Sequence, residues 1–464
     1  MGTPRTFAGL PVVGIIEIGD AAVARRALVH GATNNTGWSD RPPALFRVAL
    51  VTGPRRRRSD NINSAPHGPL WRALRRNLTA HAIHPARLAS LAPLRRGEAV
   101  VVRECLFGAV FSLAACMCFG DVDDAQVRAM ARLVHDFVLL MGGSSSVSGT
   151  GHWAKFKLLD KLLQWRLPRQ LGDPSTLRRR QAELFLPLID ARRQSSSSAR
   201  TCKDRVRPYI DSLIDLRVPN DHDDEDNGSK SKVAVGLGRR ALTDDEMVSL
   251  VSEFLGADRG GLRRVDARPP RRVAHPEIQN TLRRELISND NRPPPGRGGG
   301  MPYLHAVVLE SLRMHPPVPF AMRHVQARHL HELLAQDDLR ATPVRVHFVL
   351  GDIGRDPKAW AAPGEFRPER FLPGGEAEGV GPLPGPNNRE IRMMPFGAGP
   401  RYCPGMGLAM LHVKCFLSAL VREFRWAPPS SSSSSAAVVD LTELDGMFKV
   451  MKTPLRARVT PHVH

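Results

Sequence analysis

The chain has 464 residues, of which 42% are hydrophobic and 24% are charged, and this balance is typical of a globular protein and excludes a disordered one. Lysine and arginine outnumber aspartate and glutamate by 66 to 46, and the resulting formal charge of +20 predicts acidic partners. With only three tyrosines and six tryptophans, and no basic residues interleaved with aromatic ones, the composition disfavours a surface that stacks nucleic acid bases.

The cysteines and the apolar runs indicate the redox compartment of the chain and whether it inserts into a membrane. The six cysteines have the spacing of neither a disulfide framework nor paired zinc knuckles, and they indicate free thiols in a reducing compartment. The apolar run from Leu106 to Phe119 is shorter than the roughly 20 residues that cross a bilayer. We therefore expect a chain that does not insert into a membrane by itself.

Two helices are predicted in the first third of the chain. The segment from Pro69 to Leu78 has Trp71 and Leu74 on one face, with arginines around them. The segment from Asp121 to Leu140 places apolar residues at helical spacing. Both patterns favour helices that each bury one face.

The middle of the chain contains a capped helix between two breaks. Thr243 and Glu246 form a capping box, which opens a helix whose apolar pattern is lost at Gly256. The segments 220–235 and 259–300 are rich in charge, proline or glycine, and are predicted to be irregular or disordered.

The last third combines helices, proline-rich loops and short strands. A helix begins at Pro302, and strands are predicted at Val344–Leu350 and Phe448–Met451. Because the breaks fall between helices rather than between separable cores, residues 1–464 are predicted to form one domain. Its class is mainly α, with a minor sheet.

The segment from Pro395 to Gly407 carries the chemistry. A cysteine that binds a metal must be a thiolate, which needs hydrogen-bond donors and shelter from water. Here Phe396 can cover the back of the Cys403 sulfur, glycines allow close approach of a flat cofactor, and Arg401 offers a fixed cation. The alternative is a glycine-rich turn with a buried structural cysteine.

This segment resembles the haem-binding loop of the cytochrome P450 family, Phe-x-x-Gly-x-Arg-x-Cys-x-Gly. Its fixed positions are filled by Phe396, Gly399, Arg401, Cys403 and Gly405. The resemblance, which extends from about residue 50 to the end and is strongest to plant microsomal A-type members, implies the cytochrome P450 fold. It implies that Cys403 is the axial ligand of a haem iron and that Arg401 pairs with a haem propionate.

Further matches occur in the order of the family. An i,i+3 pair such as Glu310 and Arg313 is by default a surface salt bridge. In the family, however, residues matching Glu310, Arg313 and Arg370 form a buried charge triad near the cysteine side of the haem. The resemblance also suggests three further residues as propionate partners: Trp71, Arg75 and His324.

Three departures from the family pattern bear on activity. The family's membrane anchor and the hinge after it are missing. In the oxygen-activating turn of the central helix, Asp258 can stand for the acid that delivers protons, but no serine or threonine follows it. The polar stretch Gln326–Thr342 replaces a region that is usually hydrophobic. These substitutions suggest a truncated or locally scrambled member, as short reading-frame displacements or a faulty gene model would produce.

The resemblance implies a monooxygenase that inserts one atom of O2 into a lipophilic small molecule and reduces the other to water. The expected cofactor is haem b, with electrons from NADPH through a flavoprotein reductase. The family implies the cytosolic face of the endoplasmic reticulum, although without the anchor a soluble chain or contact with a membrane surface remains open. One alternative is a haem-binding but catalytically impaired, pseudogene-like remnant. The other, remote alternative is a basic nucleic-acid-binding protein; no nucleic acid partner is expected.

Overall fold

A computed structural model describes most of the chain. The described residues are 15–31, 37–41, 61–84, 102–143, 174–194, 207–219, 239–262, 276–289, 300–326, 329, 344–384, 390–427, 442–444, 450–451 and 458–462. The predicted irregular segment 220–235 lies outside them, as do all but the last residues of the predicted strand Phe448–Met451.

Helices make up most of the described chain. They are α1 (Ala21–Arg25, continued by a π-helical turn at Arg26–Gly31), α2 (Pro69–His81), α3 (Val102–Phe119), α4 (Asp124–Gly143), α5 (Pro174–Gln194), α6 (Tyr209–Asp215), α7 (Asp244–Leu262), α8 (Pro276–Ser288), α9 (Pro302–Met314), α10 (Leu350–Gly354) and α11 (Met406–Glu423). Within the described residues, no helix is both long enough and apolar enough to cross a bilayer.

The strands form one small sheet and three pairs. They are β1 (Ile15–Ile18), β2 (Arg217–Pro219), β3 (Arg239–Ala241), β4 (Phe320–Val325), β5 (Val344–Val349), β6 (Phe424–Ala427), β7 (Glu443–Leu444), β8 (Val450–Met451) and β9 (Arg458–Pro461). The sheet has the order β1-β5-β4, with β1 parallel and β4 antiparallel to β5. The pairs are β2-β3, β6-β9 and β7-β8. The predicted mainly helical class with a minor sheet is confirmed.

Three hydrophobic cores meet at the segment that contains Cys403. The first is built from α2 to α7, the second from α8, α9, α11 and the loops around Trp360, and the third from α1 and the three-stranded sheet. Phe396 packs in the second core, Ala398 in the third and Leu408 in the first. Residues 396–408 are thus held on three sides by buried apolar surface.

The prediction of an irregular segment across 259–300 is wrong in two places. Helix α7 continues past Gly256 to Leu262, and residues 276–288 form α8. In α8 the buried residues Ile278, Leu282 and Leu286 recur every four positions, so one face packs into the second core. Burial of these faces outweighs the low helix propensity of the neighbouring glycines and prolines.

The capping box of α7 has the predicted geometry. The backbone N–H of Thr243 donates to Glu246 Oε2 at 2.7 Å, and the N–H of Glu246 donates to Thr243 Oγ1 at 3.3 Å. Glu246 also pairs with Arg240 at 2.7 Å, and hydrogen bonds from Arg240 and Thr243 hold its pKa below the usual value despite burial. These contacts fix the start of the helix that crosses the first core.

We expect Thr243→Ala to lower the free energy of unfolding by about 1 kcal/mol, because the first turn of α7 loses its side-chain acceptor. Urea denaturation measures this difference. Thr79→Ala serves as the control, since Thr79 is exposed on α2 and its hydroxyl donates to the carbonyl of Arg75 within its own helix. Equal effects of the two substitutions would contradict a capping role for Thr243.

Candidate haem-thiolate site

Residues 396–405 fold into a tight loop that presents Cys403. The backbone N–H of Cys403 donates to the carbonyl of Phe396 at 2.8 Å, and the N–H of Met406 donates to the carbonyl of Cys403 at 3.4 Å. The Phe396 side chain is buried, whereas Cys403 is half-buried and packs against the second core. The thiol is therefore sheltered on one side and accessible on the other.

Gly399 is the glycine that this loop requires. Its φ of +69° lies in the left-handed region, and a Cβ built there would lie 1.9 Å from the carbonyl oxygen of Leu28. At Gly405 a Cβ would meet only Cys403 Sγ, at an ordinary contact distance of 3.9 Å. Gly399 thus allows the loop to approach the turn after α1 closely, while the protein itself tolerates a side chain at position 405.

Arg401 is buried and is held by backbone oxygens. Its guanidinium donates to the carbonyls of Ser39 at 2.8 Å, Ile62 at 3.2 Å and Ala65 at 2.5 Å. It also lies 4.3 Å from the ring centre of Trp71, whose indole N–H donates to the same Ile62 carbonyl at 2.9 Å. The two predicted site residues Arg401 and Trp71 therefore share one acceptor and one stacking contact.

Arg75, four residues after Trp71 on α2, reaches the cysteine loop. Its guanidinium donates to the carbonyl of Tyr402 at 2.7 Å and lies 4.5 Å from the centre of the Tyr402 ring. The i,i+4 spacing places Trp71 and Arg75 on one face of α2, so both contact the same loop. The structure thus brings Trp71, Arg75, Arg401 and Cys403 together, and the haem contacts predicted for them stay predictions.

Strand β4 places Arg323, rather than His324, toward this group. Successive side chains of a strand alternate between its faces, and Arg323 is buried with one N–H donating to the carbonyl of Ala398 at 3.1 Å. His324 lies on the other face, opposite Arg345 in β5, and burial and the Arg345 charge lower its pKa. The predicted role of His324 as a propionate partner stays a prediction. The period-two alternation of β4 could have identified Arg323.

A fourth guanidinium completes the cluster, which we call the arginine cluster: Arg41, Arg75, Arg323 and Arg401. Arg41 donates to the carbonyl of Arg401 at 3.4 Å, in a segment without any recognisable motif. Burial lowers the pKa of all four, to about 9 for Arg323 and Arg401, and repulsion from neighbouring guanidinium groups also lowers the pKa of Arg41, Arg323 and Arg401. Such a concentration of positive charge, with Arg323 and Arg401 buried, favours an anionic ligand.

Two carboxylates act on the arginine cluster within the described part of the chain. Asp40 lies 3.8 Å from Arg401, and Glu253 on α7 attracts Arg41 and Arg401. Four guanidinium groups against two carboxylates leave a formal excess of two positive charges when all six groups are ionised. Sequence reasoning missed Glu253, because nothing in its local pattern distinguishes it from a surface glutamate.

Glu310, Arg313 and Arg370 also meet, on the second core. Arg313 donates to both oxygens of Glu310 at 2.7 and 2.8 Å, and Arg370 Nε lies 3.4 Å from Glu310 Oε1. All three side chains are buried, with Glu310 fully inaccessible. Arg313 additionally donates to backbone carbonyls of residues 354, 363 and 365, so the triad ties α9 to the loops that follow α10.

The oxygen-activating turn is described only in its backbone. Gly256 is buried on α7, and a Cβ there would lie 3.5 Å from the ring of Phe137. The helix continues through Asp258, but the side chain of Asp258 lies outside the described part of the structure. Its predicted role in proton delivery stays a prediction.

We expect Gly399→Ala to displace the cysteine loop, because the new Cβ would collide with the Leu28 carbonyl and the positive φ would be strained. The spectrum of the ferrous, carbon-monoxide-treated protein should lose most of its haem-thiolate signal. Gly407→Ala is the matched control: it lies in α11 with no atom within 4 Å of the new Cβ, and should retain the signal. An unchanged spectrum in Gly399→Ala would contradict this account of the loop.

We expect Glu310→Gln to lower the free energy of unfolding by roughly 3–5 kcal/mol, since the buried Arg313 loses its counter-charge and the buried Arg370 keeps only Glu376. The control is Glu365→Gln, whose side chain is 66% exposed and lies 3.8 Å from Arg367. That substitution should change stability by less than about 0.5 kcal/mol. Chemical denaturation compares the two, and a mild effect of Glu310→Gln would argue against a buried triad.

Comparisons with known proteins agree with this geometry. The family model for cytochrome P450 matches residues 273–440. The chain is 30% identical to cytochrome P450 89A9 of Arabidopsis thaliana, over 96% of this chain and 84% of that protein. It is also 30% identical to cytochrome P450 78A1 of Zea mays, over 95% and 76% of the two chains. A solved zebra fish cytochrome P450 with abiraterone has the same fold, with a TM-score of 0.67, 19% identity and coverage of 99% and 95%.

The relatives decide between the functions that the sequence left open. They span nearly the whole chain and favour a catalytic family over the impaired remnant or a nucleic-acid-binding protein. A haem cofactor, electrons supplied by a reductase and a small-molecule substrate follow from that family. The chain belongs to the cytochrome P450 family, among its plant members, and is a haem-thiolate monooxygenase.

Proposed function

We propose that the chain binds haem b with the Cys403 thiolate as the axial iron ligand and oxidises a lipophilic small molecule. The observation that carries this proposal is the half-buried Cys403 in a loop closed by backbone hydrogen bonds, directly beside the arginine cluster. A buried structural cysteine would explain the loop alone. It would not explain the unbalanced positive charge next to it.

The charges of the site match those of haem b, which carries two propionates. The formal excess of two positive charges in the arginine cluster equals the charge of those two groups. Guanidinium groups suit carboxylates because they offer several N–H donors in one plane. We therefore propose that the guanidinium groups of the arginine cluster bind the propionates. The Trp71 ring stabilises Arg401 through its stacking contact.

The chain's own residues prepare the thiolate. The bound haem, when its iron is ligated by a thiolate, supplies dioxygen activation. The Cys403 sulfur is covered on one side by the apolar second core, where Phe396 is buried, and this excludes water from the ligand. The triad of Glu310, Arg313 and Arg370 fixes the framework on this side. We propose that Asp258, on helix α7, delivers protons.

Electrons would come from NADPH through a flavoprotein reductase that docks on the cysteine side. Tyr402 is 37% exposed there, and the neighbouring helix α2 exposes Arg72 and Arg76. A basic surface around the cysteine suits an acidic partner. We further propose that the protein works at the cytosolic face of the endoplasmic reticulum, where lipophilic substrates concentrate.

The proposal is tested by reconstituting the purified chain with haem and recording the carbon monoxide difference spectrum. We expect a haem-thiolate spectrum in the wild-type chain and its loss in Cys403→Ser, because a serine hydroxyl does not replace the thiolate. The matched control is Cys415→Ser on α11, which should keep the spectrum. A wild-type chain without this spectrum, or a Cys403→Ser variant that retains it, would overturn the proposal.

A further inference from the structure

The backbone of Ile62, with the two peptide units that flank it, lies between the central helix and the cysteine side of the site. Its N–H donates to Glu253 Oε2 on α7 at 2.8 Å. Its carbonyl accepts from the Trp71 indole at 2.9 Å and from Arg401 at 3.2 Å. One backbone segment thus connects a carboxylate on α7 to two of the residues that hold the haem.

Glu253 holds this segment firmly. The backbone N–H of Asn63 also bonds to its carboxylate, and Asn61 Oδ1 closes the turn by accepting from the N–H of Ser64 at 3.0 Å. A carboxylate that accepts from two successive backbone amides fixes both the position and the direction of their peptide units. Because a donated N–H polarises the following hydrogen bonds of a chain, the contact also strengthens the carbonyls as acceptors.

The groups around Glu253 offset part of the desolvation that burial imposes on its ionised carboxylate. Burial raises its pKa to about 7, while the two amides, Arg41 and Arg401 lower it. The charged and titratable groups that face it, among the described residues, are Arg41 before the 61–65 segment, Arg401 in the cysteine loop and Tyr209 on α6. A glutamate that merely filled space here would be replaced at lower cost by an apolar side chain.

We propose that Glu253 is a positioning residue for haem retention, which sets Trp71 and Arg401 through the Ile62 peptide. This inference rests on the proposed function, because it takes Arg401 and Trp71 to be at the propionates. It assigns to the central helix a structural link to the propionate end of the site, besides its place at the oxygen-activating turn. Glu253 acts through the peptide and needs no contact with the haem.

The experiment measures the transfer of haem from the reconstituted chain to apomyoglobin. Glu253→Leu removes the acceptor and should speed transfer about tenfold, since the amides of residues 62 and 63 are left unpaired. Glu253→Gln retains an acceptor oxygen and should restore the rate to within about threefold of wild type. Ser252→Ala is the control: Ser252 is buried next to Glu253 on α7, and its hydroxyl donates to the Val248 carbonyl at 2.7 Å. It should transfer haem at the wild-type rate.

Backbone amide exchange supplies a second measurement, which does not depend on the rate of haem transfer. The Ile62 amide should exchange slowly in the reconstituted protein, and this protection should be lost in Glu253→Leu but not in Glu253→Gln. Wild-type-like haem transfer in Glu253→Leu, failure of Glu253→Gln to restore the rate, or an unprotected Ile62 amide in wild type would overturn the inference. If the wild-type chain itself forms no haem-thiolate spectrum, the proposed function fails and this inference with it. If the wild-type chain forms the haem-thiolate spectrum but Glu253→Leu and Ser252→Ala transfer haem at the same rate, this inference fails and the proposed function stands.

Discussion

The structure around Cys403 depends on the burial of positive charge. Four guanidinium groups converge within the arginine cluster, and desolvation lowers the pKa of each, with repulsion between neighbouring guanidinium groups adding to the effect at Arg41, Arg323 and Arg401. A globular protein rarely places unpaired cations together in its interior, because each loses the solvation of water. Backbone carbonyls, the Trp71 ring and two carboxylates offset part of that loss. The remaining imbalance favours binding of a dianionic cofactor edge at this place.

The cysteine loop is rigid because of where it lies in the fold. Its residues belong to three separate cores, so displacement of the loop would expose apolar surface in each of them. Gly399 permits the closest of these contacts, against the Leu28 carbonyl. A thiolate ligand benefits from such a frame, since its position relative to the cluster is set by packing rather than by a flexible chain.

The triad and the arginine cluster are two ionic systems near the cysteine loop, and they differ in charge balance. In the triad, Glu310 pairs with Arg313 and Arg370, and Arg370 also pairs with Glu376, so two carboxylates balance the two guanidinium groups. In the arginine cluster the positive charges exceed the negative ones, which leaves capacity for a ligand. The first system is suited to holding the framework, and the second to binding. Glu253 joins the second system to the central helix through the Ile62 peptide.

The sequence by itself determined the helical class and the capping box of α7, because these depend on short motifs and local periodicity, and its resemblance to a family singled out Cys403, Arg401 and the triad for roles that stay predictions. The convergence of Trp71 and Arg75 followed from their spacing along one helix face. Tertiary structure alone decided that Arg323 rather than His324 turns inward, that α7 and α8 persist through glycine- and proline-rich sequence, and that Arg41 and Glu253 belong to the site. Contacts between residues some two hundred positions apart depend on packing, which no local pattern in a single sequence encodes.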